Sequence, residues 1–210
     1  MPKHASSDRK QGLRASDWVR VARVVIAEKG VAAVAVEPLA KRLGVTKGSF
    51  YWHFPNRDAL LRVALEHWEQ EETEAVIVAM DRIPDPRDRF SRLFDLSIRG
   101  HVYDTGSAVA TLRAEAAFEL AISDAADDPI VQPVLQRVTE RRIDYLADCF
   151  RTLGFRPDHA RSRALLAYAA FLGFQRLLRE APSRLPLGHD LAAYHERVVA
   201  LLIAPDETSP

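Results

Sequence analysis

Apolar positions recur along the chain with the period of an α-helix. Trp18, Val21, Ala22, Val25 and Ile26 fall on one helical stripe, which Ser16 is placed to cap and Gly30 to stop. A short second helix follows Val36. Pro38 lies in its first turn, where a missing N–H costs nothing, and the helix runs through Leu39, Ala40 and Leu43 to Gly44. Thr46 is placed to cap a third helix of barely two turns, from Lys47 to Phe54, which Pro55 ends. Asn56 caps a fourth, through Leu60, Leu61, Leu65 and Trp68, that fades in the acidic stretch Glu69 to Glu74. Beyond it the pattern predicts helices near 87–103, 107–123, 129–153, 158–181 and 189–203, separated by Gly or Pro.

The chain is therefore expected to be all-α. A flexible basic arm, residues 1–14, precedes an N-terminal three-helix head over 15–61, a helical body over 62–204 and a disordered tail over 205–210. No apolar run reaches eighteen residues and the N-terminus lacks the apolar stretch of a secretory signal, which points to a cytoplasmic protein with no membrane partner. Cys149 is the single cysteine, so no internal disulfide or thiolate metal site is possible, and it reads as core.

Charge sharpens the division. The formal net charge is zero, yet residues 1–62 hold 12 Lys or Arg against 5 Asp or Glu, while the remainder holds 17 against 24. All five lysines lie in the first segment. A cationic head on an acidic body makes nucleic acid the natural partner of the head.

Within that head, Ala40, Gly44 and Phe50 stand four and six residues apart: a small residue where two helices nearly touch, a glycine for the turn, and a bulky residue clamping both. This is the spacing of a helix-turn-helix. Winding the third helix at about 100° per residue puts Phe50 and Phe54 inward and leaves Gly48 and Trp52 outward, flanked by Ser49 and Tyr51. In a major groove, Lys47 can donate to guanine O6 and N7, Ser49 to a base edge or phosphate, and Gly48 lets the backbones approach. Tyr51, His53 and Arg57 offer donors at the height of the sugar-phosphate chain, and Trp52 an apolar face for a thymine methyl.

The segment from Val36 to Leu61, ending Leu-Gly-Val-Thr-Lys-Gly-Ser-Phe-Tyr-Trp-His-Phe-Pro-Asn-Arg-Asp-Ala-Leu-Leu, resembles the signature of the TetR (tetracycline repressor) family of transcriptional regulators, over about an eighth of the chain. The resemblance implies base contacts at Lys47 and Trp52 and phosphate contacts at Tyr51, His53 and Arg57. Val36 and Glu37 depart from it, standing where the repressor that gives the family its name has a hydroxyl that meets phosphate and an arginine that reads a base. The operator sequence is therefore not transferable.

For the body the resemblance implies a small-molecule effector and a homodimer paired through the last two long helices. The run Ala164, Leu165, Ala167, Tyr168, Ala170, Phe171, Phe174, Leu177 and Leu178 is apolar on more than one face, so one face needs cover beyond the monomer. Tyr168 and Phe174, with Leu191, Tyr194, Val198 and Leu201 on the last helix, are the expected interface. Two recognition helices held about 34–36 Å apart then enter successive major grooves, and a palindromic operator on double-stranded DNA follows. Phe94, Ile98, Tyr103, Leu112, Glu115, Phe118, Phe171 and Gln175 are candidates to line the effector pocket.

Other chemistry is thin. His101, Asp104, Glu115 and Glu119 have no paired-histidine spacing or thiolate, so no metal is expected. His189, His195 and Glu196 have no accompanying nucleophile motif or phosphate loop and read as a solvated helix face. Neither a catalytic residue nor a cofactor is expected. The expected function is a ligand-responsive repressor released from its operator by an inducer. The alternatives are a ligand-independent architectural DNA binder and, with less support, an enzyme carrying a structural helix-turn-helix.

Overall fold

In the computed structural model, residues 13–99, 116–186 and 189–205 are described, all but the side chains of 97–99 and 189. Among them there are helices, turns and no strand. The head comprises α1 (Ala15–Lys29), a 3-10 turn (Val31–Ala33), α2 (Val36–Leu43) and α3 (Lys47–Tyr51). It continues into α4 (Arg57–Glu69), a π-helical turn (Gln70–Glu74) and α5 (Ala75–Met80). The body adds α6 (Pro86–Arg99), α7 (helical residues 116–123), α8 (Val131–Thr152), α9 (Pro157–Glu180) and α10 (His189–Leu202).

Local signals account for most of these boundaries. Gly44 ends α2 at φ 70°, with the Gly44 N–H on the Lys41 carbonyl at 3.2 Å and the Val45 N–H on Ala40 at 3.0 Å. That pair of bonds is the Schellman closure, which favours glycine because its central residue is left-handed. The Asn56 side chain accepts from the Ala59 N–H at 2.9 Å and starts α4. At α1 the expectation fails. Ser16 lies inside the helix, and Asp17 accepts from the backbone N–H of Arg14 at 3.0 Å. That bond, reinforced by Arg20, holds the Asp17 carboxyl below its ordinary pKa. The third helix is also shorter than its pattern, breaking after Tyr51 into a turn that delivers Phe54 to the core.

Two hydrophobic clusters divide the interior. The first joins α1, α2, α3 and α4 around the fully buried Trp18, Phe50, Leu60, Leu61 and Leu65, and reaches Phe118 and Ile122 of α7 and Val131, Val134 and Val138 of α8. The second joins α5 and α6 to α8, α9 and α10 around Phe90, Phe150 and Leu191. The division expected after residue 61 falls inside α4, whose Trp68 ring packs 6.4 Å from Phe118. Cys149 is buried in the second cluster, where desolvation pushes its thiol up to about 11.

A row of charges reinforces the junction. The π-turn and its flanks present Glu69, Glu71 and Glu74, met by Arg137, Arg23 and Arg141 respectively. Arg142 is largely buried. It donates to Thr73 Oγ1 at 2.9 Å, to the Glu72 carbonyl at 3.1 Å and to Glu119, and lies over the Trp68 ring. Burial opposes the charge on Arg142, but Glu119 and Tyr168 outweigh it and raise the guanidinium pKa. Glu119, considered above among metal ligands, thus serves an arginine. The described residues contain no group of His, Cys, Asp or Glu able to hold a metal ion.

Candidate nucleic-acid interface

Helix α3 is too short to persist alone, so its orientation is imposed by the rings beneath it. Phe50 is fully buried, edge-on to Trp18 at 5.2 Å and 5.7 Å from Phe54. With Phe50 and Phe54 fixed inward, helical geometry turns the other face out. Thr46, Lys47, Gly48 and Tyr51 are exposed, Ser49 and His53 are half-buried, and Trp52 is 88% exposed. A Cβ built on Gly48 meets nothing nearer than Thr46 Oγ1 at 3.7 Å, so the protein itself leaves that face open. Thr46 takes the extended N-cap conformation, without a side-chain capping bond.

A tryptophan this exposed loses a large apolar contribution to water. Flanked by Lys47 and Tyr51, it forms a surface with cationic, hydroxyl and flat apolar groups side by side, the mixture that suits base edges and phosphates. Lys47 Nζ lies 3.0 Å from Glu37 Oε1, and this bond raises the lysine's pKa, with Tyr51 adding to the effect.

Arg57 differs from the rest of the expected set. Its Nε donates to the Val34 carbonyl and Nη2 to the Val31 carbonyl, each at 2.9 Å, and Nη1 reaches Asp58 at 3.3 Å. The guanidinium therefore ties the α1–α2 connection to the start of α4. Sequence spacing cannot show this, because the two carbonyls lie 26 and 23 residues away.

The expected interface residues are divided by burial. Tyr168, Phe174 and Leu191 are buried inside their own chain, a correction to their expected place at a subunit contact. Tyr194 and Val198 are half-buried against the second cluster, and Leu201 is 73% exposed. The outward apolar stripe of α9 is instead Leu165, Leu166, Leu172 and Leu177. Leu166 and Leu172 escaped the sequence reading, although the steps 162, 165, 166, 169, 172, 173 mark one helical face.

The described pocket candidates fall in different parts of the interior. Phe94 belongs to the second cluster and stacks 6.2 Å from Phe90, whereas Phe118 belongs to the first. Phe171 lies 6.0 Å from Tyr168, and Gln175 is buried. Tyr103, Leu112 and Glu115 lie outside the described residues, as does the side chain of Ile98. His195 corrects another expectation: it is buried rather than solvated, with Nε2 3.2 Å from the Ser91 carbonyl and its ring against Phe94. Glu196 is exposed.

Comparison with known proteins converges on this head. Residues 19–64 match the model of the bacterial regulatory proteins of the tetR family. An uncharacterized HTH-type transcriptional regulator of Bacillus subtilis, YerO, is 41% identical over 44 residues, which are 21% of this chain and 15% of YerO. The matched segment thus spans about a seventh of that relative. Solved structures share the whole fold at low identity. A transcriptional regulator from Saccharomonospora viridis in complex with choline is 20% identical, with 90% of this chain and 94% of that one covered at a TM-score of 0.71. The fatty acid degradation regulator FadR from Bacillus halodurans is 18% identical, with 95% and 99% covered at 0.65. Residues 19–64 thus carry the helix-turn-helix of the bacterial regulatory proteins of the tetR family, and the chain as a whole shares the all-helical fold of these solved regulators.

Proposed function

We propose that this protein is a dimeric repressor that binds a palindromic operator through α3 and leaves it when a small molecule occupies the body. The observation that carries the reading is the outward row Lys47, Tyr51 and Trp52 over an inward Phe50 and Phe54. Lys47 and Trp52 read bases; Tyr51, His53, Ser49 and the backbone at Thr46 and Gly48 set the helix against the phosphates. Arg57 supports this surface from behind.

The exposed leucines of α9, together with Leu201, support dimerisation, since a contiguous apolar stripe on a helix gains free energy when a second copy covers it. The signal path runs through α4. Trp68 at its C-terminal end touches Phe118 of α7, and Arg23 of α1 lies 5.2 Å from the same Phe118 ring while pairing with Glu71. A ligand that moves α7 therefore acts on both α1 and α4, and through them on the spacing of the two recognition helices.

Binding to randomised duplex DNA with sequence selection, at several salt concentrations, tests the reading. The expected result is a palindrome selected by the wild type, with preference lost at the contacted base pair in Lys47→Ala and affinity reduced in Tyr51→Ala. Salt-dependent binding without a consensus would support an architectural protein instead. Linkage tests the inducer: a ligand that weakens operator affinity about a hundredfold must bind the DNA-bound form about a hundredfold more weakly, and equal affinities refute inducer action.

A further inference from the structure

Glu37 is an acid on the surface that the proposed function turns toward DNA. It occupies the first turn of α2, its side chain is 73% exposed, and its Oε1 accepts from Lys47 Nζ at 3.0 Å across the helix-turn-helix. Among the described residues, the head's other acids pair outside α3: Asp17 with Arg20, Glu28 with Arg42 and Asp58 with Arg57. A carboxylate facing a phosphate-lined groove opposes binding to every sequence alike, because its charge repels the backbone. Such a group lowers affinity unless a base edge supplies a donor for it.

The pair has the chemistry to meet one. An ammonium has three N–H groups, so Lys47 bonded to Glu37 keeps two for a partner. A carboxylate has two oxygens, and Lys47 engages only Oε1. The outer edge of the pair is therefore a donor beside an acceptor. A G·C pair presents the complement in the major groove, guanine N7 and O6 as acceptors with cytosine N4 as a donor at one side. An A·T pair sets its only donor, adenine N6, between two acceptors, N7 and thymine O4, whose lone pairs repel an approaching carboxylate.

We propose that Glu37 and Lys47 act as one unit that reads a G·C pair in each operator half-site, Glu37 accepting from cytosine N4 and Lys47 donating to guanine O6 or N7. Glu37 is then a specificity-determining residue, and its contribution lies in rejecting the wrong base. This rests on the operator-binding function proposed above.

The experiment is sequence selection followed by competition binding with the full-length chain, comparing wild type, Glu37→Gln, Glu37→Ala and Lys47→Ala. Circular dichroism checks that the head is folded in each. The wild type is expected to favour G·C over A·T at one position per half-site by about 5- to 150-fold. In Glu37→Ala that preference collapses while affinity for random duplex rises. In Glu37→Gln, which keeps the shape, it shifts toward adenine, the base whose N6 and N7 suit an amide. Lys47→Ala must disturb the same base pair.

Unchanged preference at every position in both Glu37 variants would overturn the proposal, leaving Glu37 a solvated acid. So would loss of preference at a position that Lys47→Ala does not touch. Failure of the wild type to select any sequence would instead overturn the operator-binding function itself, and this proposal with it.

Discussion

The head and the body both expose large side chains, but of opposite kinds. On α3 and the turn that follows it, the outward groups are Lys47, Tyr51 and Trp52, each carrying an N–H or O–H; on α9 they are Leu165, Leu166, Leu172 and Leu177, with none. A surface with such donors can meet a hydrated, charged partner without leaving that partner's groups unsatisfied. Bare leucines gain only from an apolar partner that excludes water. The same separation appears in salt response. Each phosphate contact releases counterions and makes DNA affinity fall steeply with salt, whereas burial of leucine carries no such dependence. Raising salt from 50 to 200 mM is thus expected to cut DNA affinity by orders of magnitude and leave subunit association intact.

The largest expected effect comes from breaking the apolar side of this comparison. Burying a leucine side chain is worth about 1.5–3 kcal/mol. Leu166→Arg with Leu172→Arg removes four partly exposed side chains from the proposed two-fold interface, about 3–6 kcal/mol once their 61% and 37% exposure is taken into account. Sedimentation should then show a single 23.5 kDa chain where the wild type sediments as a pair. The folded monomer should survive, because both side chains are exposed within one chain. A double variant that still sediments as the wild type would place the interface elsewhere.

A second contrast lies in how the two regions use ion pairs. In the head, Arg42 and Glu28 meet at 2.8 Å with both side chains more than 40% exposed. In the body, Arg142 and Glu119 are 14% and 9% exposed. Removing one partner of a buried pair strands the other charge, so Glu119→Ala is expected to cost about 3–5 kcal/mol in urea denaturation. Replacing both by apolar residues, Arg142→Met with Glu119→Leu, should restore most of that loss. Glu28→Ala should leave the denaturation midpoint near the wild-type value, since water solvates whatever is left unpaired. Equal costs in the two regions would erase the contrast.

These differences explain how far the sequence could be read. The head was legible because its signals are local: Gly44 closing α2, Asn56 capping α4, and Phe50 and Phe54 four residues apart on one face all act within a turn or two. Helix order in the body was legible for the same reason. What each body side chain touches was not. Tyr168, Phe174 and Leu191 have the same apolar character as Leu166 and Leu172, and only the packing of α8, α9 and α10 decides which are covered. His195 looked solvated until the Ser91 carbonyl, 104 residues away, was brought beside it. Ser16 does not cap α1 because the N-cap falls two residues earlier, at Arg14, whose backbone N–H is taken by Asp17 in the first turn.

Arg57 offers the finest division, within the head's own charges. Lys47 faces outward, whereas Arg57 is spent on the carbonyls of Val31 and Val34. Arg57→Ala strands two backbone acceptors in a half-buried setting and is expected to destabilise the head by about 2 kcal/mol, the scale of a hydrogen bond to a charged group. Operator affinity should fall only as far as the folded fraction falls. The slope of log affinity against log salt separates the roles, since losing a phosphate-contacting cation reduces it by about one. Lys47→Ala should relax base preference and leave thermal stability nearly unchanged, while Arg57→Ala should lower stability and leave the slope as it was. A reduced slope in Arg57→Ala would return this arginine to the phosphates, as the resemblance implied, and its two internal bonds would then be the means of aiming it.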